Sequence, residues 1–285
     1  MSSLNQLLII DPQNDFCDLP AGWCPVDPVS GERIAPALPV AGAHADMGRL
    51  AAFIRGAAAA LDGITVTLDS HNRLHIAHPT FWQTGEGGPV APFTPITARE
   101  VRAGAFRPRD PSAGERALAY LDALEAGGRY TLMVWPVHCE IGTWGHAVHA
   151  DVRAAYNAWE VERLKVVRKV AKGSNLWTEH YSALQAEVPD RTDAHTQLNR
   201  ALLDALDTAD RLIIAGEAGS HCVKATVEDI VNHLPGDRAE RLVLLTDCMS
   251  AVTGFAAQQD AFLRGMAKRG ARLTTSTELL RELNR

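Results

Sequence analysis

The sequence lacks paired cysteines. Its five cysteines are odd in number and widely scattered, and none of them forms a Cys-x-x-Cys pair. This distribution fits reduced thiols better than a disulfide framework or a clustered thiolate metal site. We therefore expect each cysteine to be free, so that any one of them can be judged as a possible nucleophile.

The sequence also lacks a cluster or stripe of basic residues. It has 28 Lys and Arg against 34 Asp and Glu, which gives a formal net charge of −6. Binding to nucleic acid or to an anionic membrane depends on concentrated positive charge. We therefore expect neither of these partners, and a small-molecule substrate instead.

Long hydrophobic runs are missing as well. The first ten residues have no basic leader, and the apolar run Leu7–Ile10 is far too short for a signal segment or a membrane span. No repeat, coiled coil or low-complexity tract is present. These features predict a cytoplasmic protein without a membrane partner.

What the sequence does have is a regular alternation of apolar runs and helical patterns. Hydrophobic residues make up 46% of the chain, which is enough for a substantial core. The alternation predicts an α/β fold in one domain, residues 1–285, with a doubly wound parallel sheet and helices on both faces. Strands are predicted at 7–10, 64–68, 131–134, 166–167, 211–216, 242–245 and 271–274, and helices near 43–61, 113–126, 146–162, 195–208, 222–233, 255–268 and the C-terminus.

One stretch interrupts this alternation. Within residues 72–111, most of the chain is rich in Gly, Pro and Thr and has little periodicity. Such a segment is typical of a functional loop rather than of a separate domain. We interpret it as a long, lid-like excursion over the sheet edge.

A single cysteine stands at the junction of a predicted strand, a small-residue turn and a helix. Cys222 begins that helix, where unpaired N–H groups and the helix dipole are expected to lower a thiol pKa. The N–H groups of Cys222 and Ala218 can also receive an oxyanion. Taken alone, a cysteine in this place is far more typical of a small buried residue that packs a helix against a sheet.

Two charged residues are candidates to activate this thiol. Asp11 and Lys172 each follow a predicted strand, so both can meet Cys222 at the same edge of the sheet. A carboxylate held near an ammonium can act as the base that takes the thiol proton. Separately, Asp11 fits a turn and Lys172 a solvated charge. Lys169 is a neighbouring alternative, and the glycine after Lys172 favours the latter.

Histidines and a carboxylate predict a metal site. Asp69 and His71 are two residues apart, so in an extended segment they project from the same face, and His138 can supply a third ligand. This set suits Zn²⁺, with Fe²⁺ or Mn²⁺ as alternatives. His75 or His78 can add a further ligand, while the other packs or orients a neighbour. The competing interpretation is a group of partly exposed loop histidines that bind no metal.

Two aromatic residues follow predicted strand ends near these groups. Phe16 and Trp135 can sandwich a flat ring, although each is also typical of an ordinary core.

Together these segments resemble the isochorismatase-like cysteine hydrolases, and most of all their nicotinamidase branch. The resemblance rests on five segments that span nearly the whole chain: Ile10-Asp-Pro-Gln-Asn-Asp-Phe16, Asp69-x-His71, Trp135-Pro-x-His-Cys-x-x-Gly-Thr-x-Gly145, Lys172-Gly and Ala215-Gly-x-Ala-x-x-x-Cys-Val-x-Ala-Thr226.

The resemblance implies a six-stranded α/β/α sandwich and an active site with a bound metal ion. Asp11, Lys172 and Cys222 would form the catalytic triad, with an oxyanion hole at the Ala218 and Cys222 amides and a cis peptide before Ala218. Asp69, His71 and His138 would bind the metal, and Phe16 and Trp135 would flank the substrate ring.

The implied reaction hydrolyses nicotinamide, or a related small aromatic carboxamide, through a Cys222 thioester, as in pyridine nucleotide salvage. The metal ligand set favours an amidase, because metal-free isochorismatases lack it. The alternatives are a relative acting on another small amide, carbamoyl or vinyl-ether substrate, or a non-catalytic binding relative. Exposed Ala and Leu on helix faces indicate a homo-oligomer.

This chain departs from that family pattern in three places. It has extra length between Asp69 and His138, a polar segment at Gln185–Gln197, and an atypical sequence at Glu217–His221 before the cysteine. We expect the first two to border the substrate pocket.

Overall fold

The computed structural model describes residues 4–234 and 239–285. Ten strands occur within them: β1 (Asn5–Ile10), β2 (Gly63–Asp69), β3 (Trp82–Thr84), β4 (Thr94–Ile96), β5 (Phe106–Pro108), β6 (Leu132–Val134), β7 (Arg168–Lys172), β8 (Arg211–Gly216), β9 (Leu242–Leu245) and β10 (Arg272–Thr274). Six of them form one sheet in the order β10-β9-β8-β1-β2-β7. All its neighbouring strands are parallel, which confirms the predicted sheet.

The same described residues contain eight α-helices: α1 (Ala43–Gly56), α2 (Ala98–Arg102), α3 (Gly114–Ala126), α4 (Ala150–Arg163), α5 (Arg200–Asp207), α6 (Cys222–His233), α7 (Ala256–Lys268) and α8 (Ser276–Leu283). Helix α1 packs against α4 and α8. Among the described residues, none of these helices is long and apolar enough to cross a bilayer.

The centre of the sheet is built from continuous apolar runs. Leu7–Ile10 of β1 and Leu212–Ala215 of β8 are almost fully buried, as expected for strands covered on both faces. The chain leaves β1 toward β2 on one side and later returns to β8 on the other, so the strand order reverses between β1 and β8. Ligands of open α/β sheets bind at the carboxyl ends of the strands at such a reversal.

Two of the strand predictions are wrong, one in the position of the strand and the other in the strand with which it pairs. The strand expected at 166–167 lies at Arg168–Lys172, because β7 is an edge strand with exposed charged residues and Val166 itself is exposed. The strand expected at 131–134 does not join the parallel sheet. It is β6, which pairs antiparallel with β4 in a separate two-stranded ladder.

The excursion at 72–111 has more secondary structure than its composition predicts. It contains β3, β4, β5 and α2, and β3 pairs with β5 in a second antiparallel ladder. The Trp82 side chain is fully buried and donates its indole N–H to the Ile76 carbonyl at 2.6 Å. Strand β4 of the excursion pairs with β6, and the Ile76 N–H donates to the Leu176 carbonyl at 2.8 Å, so the segment is packed onto the rest of the chain.

Candidate active site

Three residues distant in sequence meet at the carboxyl edge of the sheet. Asp11 follows β1, Lys172 ends β7, and Cys222 begins α6 directly after the turn that follows β8. The Lys172 Nζ atom lies 2.9 Å from a carboxylate oxygen of Asp11 and 3.6 Å from the Cys222 Sγ atom. All three side chains are buried. The structure therefore brings together the acid, the ammonium and the thiol selected from the sequence.

A second carboxylate completes the surroundings of the ammonium. Asp69 lies 3.2 Å from Lys172 Nζ, and the His180 carbonyl accepts a hydrogen bond from the same nitrogen at 2.9 Å. Burial alone lowers the pKa of Lys172, but Asp11 and Asp69 outweigh it and hold that pKa well above its ordinary value. Lys172 is therefore a permanent cation in this site. Lys169, in contrast, is exposed on β7 and lies near Glu160.

The Cys222 thiol does not have the lowered pKa expected from its place at a helix N-terminus. Burial raises its pKa well above the ordinary value, Lys172 opposes this shift, and Asp11 and Asp69 add to it. Burial also raises the pKa of Asp11, against the effect of Lys172. These effects favour the neutral thiol, which would need a base before it could act as a nucleophile. The Asp11 carboxylate, which contacts the same Lys172 ammonium as the thiol, is the candidate for that base.

The turn before Cys222 presents two free backbone donors. The Glu217–Ala218 peptide bond is cis, as the resemblance implies. Within the described ranges 4–234 and 239–285, the N–H groups of Ala218 and Cys222 donate no hydrogen bond to a protein acceptor. The neighbouring Gly219 N–H donates to the Ser250 carbonyl at 2.8 Å, and Ser250 N–H donates to the Glu217 carboxyl. These contacts hold the turn while its two donors stay available for an oxyanion.

Gly216 explains how the turn comes so close to Asp11. This residue is paired with Ile10 at the ends of β8 and β1 and has a φ of 123°. A Cβ atom here would lie 2.0 Å from the Ile10 carbonyl oxygen. Only glycine allows this approach, which sets the cysteine turn beside the aspartate strand.

The predicted metal ligands also converge. Donor atoms of Asp69, His71 and His138 all lie within 4.8 Å of one another, and all three residues are buried. One Asp69 oxygen lies 3.0 Å from His71 Nε2 and 3.3 Å from His138 Nε2, while the other contacts Lys172. Burial raises the pKa of Asp69, but His71 and Lys172 outweigh it and bring the pKa well below its usual value. Asp69 therefore joins the candidate metal centre to the Lys172 ammonium.

The structure distinguishes the two further histidines. His75 is satisfied on both sides: its Nε2 lies 3.2 Å from the Thr178 carbonyl and its Nδ1 accepts the Ala77 N–H. The buried His78 Nε2 has no hydrogen-bond partner among the described residues. The His78 ring also lies beside both His71 and His138, at centroid distances of 5.1 and 5.3 Å. An unpaired buried nitrogen whose ring lies beside two of the candidate ligands fits a bound cation, and donor atoms of His71, His75 and His78 also lie within 4.8 Å of one another.

Sequence reasoning missed two residues that orient these groups. Gln13 accepts the Asp69 N–H and donates to the Asp69 carbonyl, both at 2.7 Å, so it fixes the end of β2. Thr67 donates to an Asp11 carboxylate oxygen at 2.5 Å and accepts the Asp11 N–H. Their partners lie on neighbouring strands. Gln13 could have been selected because it lies within the segment Ile10–Phe16, the first of the five family-like segments. No pattern in the sequence indicated a role for Thr67.

Gly173 is a further residue with a geometric role, and it gives the first prediction. Its φ is +88°, and an added Cβ would lie 2.9 Å from both Asp69 Oδ1 and His71 Cε1. Gly254 has the same φ of +88° with no atom within 4 Å of such a Cβ. Both Gly→Ala variants should lose about 1–2 kcal/mol of stability through the left-handed backbone.

Only Gly173→Ala should also weaken divalent-metal binding, by about 10–100-fold, because it pushes on two ligands. Metal titration calorimetry and thermal unfolding of both variants measure the two effects separately. Equal metal affinities in the two variants would contradict this role of Gly173.

The two aromatic candidates lie on different sides of the site. Phe16 is buried and packs edge-on against His138, with ring centroids 5.5 Å apart. Trp135 packs edge-on against His221, the residue before Cys222, at 5.3 Å, and its indole N–H donates to the Tyr181 hydroxyl. One aromatic thus borders the candidate metal centre and the other borders the nucleophile turn.

Comparison with protein-family models and with curated protein sequences gives no match. Solved structures do match. A nicotinamidase/pyrazinamidase of Acinetobacter baumanii is similar with a TM-score of 0.59 and 19% identity, covering 97% of this chain and 98% of that one. The yeast nicotinamidase bound to the inhibitor nicotinaldehyde has a TM-score of 0.59 and 18% identity, covering 95% and 100%.

A pyrazinamidase of Pyrococcus horikoshii in complex with zinc is also similar, with a TM-score of 0.51 and 18% identity over 95% of this chain and 98% of that chain. At such low identity these likenesses establish the fold. The chain has the isochorismatase-like α/β fold of the nicotinamidases and pyrazinamidases, as its sequence motifs imply.

Proposed function

We propose that this protein is a metal-assisted cysteine amidohydrolase that converts nicotinamide, or a related small aromatic carboxamide, to the acid and ammonia. The observation that carries the proposal is the position of the Lys172 ammonium, which contacts Asp11 and Cys222 on one side and Asp69 of the histidine cluster on the other. A structural ion pair needs no thiol and no adjacent cluster of buried histidines. This combination supports nucleophilic catalysis.

The first half of the reaction forms a thioester. Asp11 takes the proton from Cys222 Sγ, and the thiolate attacks the amide carbon while the Ala218 and Cys222 N–H groups receive the carbonyl oxygen as an anion. Lys172 stabilises the thiolate and the carboxylate during this transfer. The C–N bond then breaks as Asp11 returns the proton to the nitrogen, and ammonia leaves.

The second half hydrolyses that thioester. Asp11, again a carboxylate, takes a proton from water, and the resulting hydroxide attacks the acyl carbon. The same two N–H groups receive the second oxyanion. The C–S bond breaks, Cys222 recovers its proton from Asp11, and the carboxylic acid is released.

The candidate metal centre would bind one side of the substrate. Asp69, His71, His138 and His78 fit a divalent cation, with Zn²⁺ as the first candidate and Fe²⁺ or Mn²⁺ as alternatives. When bound, such an ion supplies a Lewis acid that positions the ring nitrogen of the substrate. Phe16 and Trp135 would flank that ring.

The proposed function has a direct test. Protein loaded with Zn²⁺, Fe²⁺ or Mn²⁺ in separate samples should release ammonia and nicotinic acid in equal amounts from nicotinamide. Enzymatic ammonia determination and chromatography of the acid measure the two products. Failure of all three samples to release ammonia from nicotinamide or pyrazinamide would overturn the proposal.

The assignment of His78 gives a second prediction. Because the His78 Nε2 is unpaired and the His75 nitrogens are both bonded, His78→Ala should weaken Zn²⁺ binding by at least about 100-fold, and His75→Ala by about 10-fold or less. Competition with a chromophoric chelator measures both affinities. A larger loss in His75→Ala than in His78→Ala would exchange their roles.

A further inference from the structure

A glutamate is buried in the turn between β8 and α6. Glu217 directly precedes Ala218, one of the two candidate oxyanion donors, and it is fully buried. It belongs to the stretch whose sequence is atypical for the family, and the reaction proposed above gives it no part. A buried carboxyl group is costly unless its charge is paired or is removed by a proton. The groups around Glu217 indicate which of the two applies.

One carboxyl oxygen of Glu217 is bonded and the other is not. The Ser250 N–H donates to Glu217 Oε2 at 3.1 Å, whereas the buried Oε1 has no hydrogen-bond partner among the described residues. Arg49 of α1 pairs with Asp46 and not with Glu217. A Glu217 anion would therefore leave a charged oxygen buried without a partner.

Asp46 of α1 is bonded to the same serine. The Ser250 hydroxyl donates to Asp46 Oδ2 at 2.6 Å, while the Ser250 N–H donates to Glu217. Two buried carboxyl groups that converge on one residue repel each other strongly when both are ionised. Because Asp46 has the Arg49 guanidinium as its counter-ion, Glu217 is the group that takes the proton.

The other ionisable groups near Glu217 also favour its neutral form. Burial raises the pKa of Glu217 well above its usual value, and the Asp46 and Asp18 carboxylates raise it further, against one backbone N–H that lowers it. Burial likewise raises the pKa values of the Cys17 and Cys248 thiols, so both are neutral near pH 7. These groups thus supply negative charge or none.

The loop that contains Ser250 holds the turn at two further points. The Gly219 N–H donates to the Ser250 carbonyl at 2.8 Å, and the Val252 N–H donates to the Ser220 hydroxyl at 3.1 Å. Residues 219 and 220 lie between the two candidate oxyanion donors. The position of these donors therefore depends on how firmly Ser250 is held.

We propose that Glu217 is a positioning residue: as a neutral acid whose O–H is donated to Asp46, it keeps the oxyanion donors in place, and its ionisation at high pH releases them. This inference rests on the proposed function, since the donors serve that reaction. An ionised Glu217 would repel Asp46 and loosen Ser250 between them. The two donor N–H groups would then lose their alignment for the developing anion.

Glu217→Gln tests the proton, because an amide reproduces the neutral acid. Its oxygen can accept the Ser250 N–H, and its NH₂ group can donate to Asp46. With a folded pKa above the unfolded value of about 4.3, the contribution of wild-type Glu217 is complete below that value and is lost as pH rises through the folded pKa. The amide shows no such loss. The melting temperature of Glu217→Gln minus that of wild type should increase by about 3 °C or more between about pH 5 and about pH 8.

Glu115→Gln, at an exposed glutamate of α3, is the matched control. Its melting temperature minus that of wild type should change by less than about 1 °C over the same range. Scanning fluorimetry of the metal-free proteins gives these values. A difference for Glu217→Gln that stays constant or decreases as pH rises would show a carboxylate in the folded protein and overturn the proposal.

Turnover tests the positioning role. Ammonia release from nicotinamide by Zn²⁺-loaded Glu217→Gln should stay within about threefold of wild type near pH 7 and should fall less than wild type above about pH 8. Glu217→Ala, which lacks both contacts, should lose about 100-fold near pH 7. The same pH profile in wild type and Glu217→Gln would overturn the proposal.

The two arms separate this inference from the function on which it rests. No ammonia release by wild type at any pH would overturn the proposed function and, with it, the positioning role. The melting temperatures would still decide whether Glu217 holds a proton, because they need no substrate.

Discussion

Replacing Cys222 with alanine is expected to reduce ammonia release from nicotinamide by at least about 10⁴-fold, since removing the nucleophile of a covalent mechanism leaves only binding and oxyanion stabilisation. Among the described residues, Cys222 is the only cysteine whose sulfur accepts a hydrogen bond from Lys172. Steady-state ammonia assays on metal-loaded protein measure the loss.

The matched control is Cys24→Ala, which removes another buried cysteine outside the site. It should retain activity within about twofold once its folding is verified by circular dichroism. Substantial hydrolysis by Cys222→Ala would contradict the thioester route, even if the protein proved to be an amidase.

Lys172→Met is expected to cause the largest loss of stability. Asp11 and Asp69 would remain buried without their shared cation, and breaking a buried ion pair in this way costs about 3–5 kcal/mol. Lys169→Met changes an exposed lysine on the same strand, so it should cost less than about 1 kcal/mol. Chemical denaturation of the metal-free proteins gives both values.

The pH dependence of this loss follows from the pKa of Asp11. That pKa is already raised by burial, and Lys172 opposes the rise. Without Lys172 the pKa of Asp11 in the folded variant increases further, so the folded state binds a proton that the unfolded state releases. Stability of the variant then falls as pH increases through the unfolded and folded pKa values. The deficit relative to wild type should be larger at about pH 8 than at about pH 5.

In the wild type, the contribution of Lys172 to stability changes only at high pH. The folded pKa of Lys172 lies well above its ordinary value, so its contribution is complete below the unfolded pKa and is lost only when pH rises through the folded pKa. Equal deficits of Lys172→Met at both pH values would show that Asp11 does not gain a proton in the variant.

The sequence was informative where burial and position along a strand decide the outcome. The apolar runs of β1, β8 and β9 predicted buried parallel strands, and the small-residue turn predicted the start of α6 at Cys222. Because parallel strands bring their carboxyl ends to one edge, Asp11, Lys172 and Cys222 could be grouped before their distances were known.

It was less informative where the partner of a segment decides the outcome. An apolar run identifies Leu132–Val134 as a strand but not its antiparallel pairing with β4. The edge strand β7 is not predicted by hydrophobicity, since Arg168 and Lys169 face solvent. The pKa of Cys222 was predicted from the helix N-terminus alone, whereas burial beside two carboxylates decides its direction. The difference between His75 and His78 likewise depends on contacts with Thr178 and Ala77.

The three residues of the proposed triad are not supported equally by the sheet. Asp11 and Cys222 are attached to β1 and β8, which have strands on both sides, but Lys172 is the last residue of β7, which has a neighbour on one side only. Peripheral strands can open locally while the remainder of a domain stays folded. Local opening of β7 would remove the Lys172 ammonium from the site without unfolding the rest of the protein. The lifetime of the proposed activity would then be set by local opening of this edge strand, and not by global unfolding.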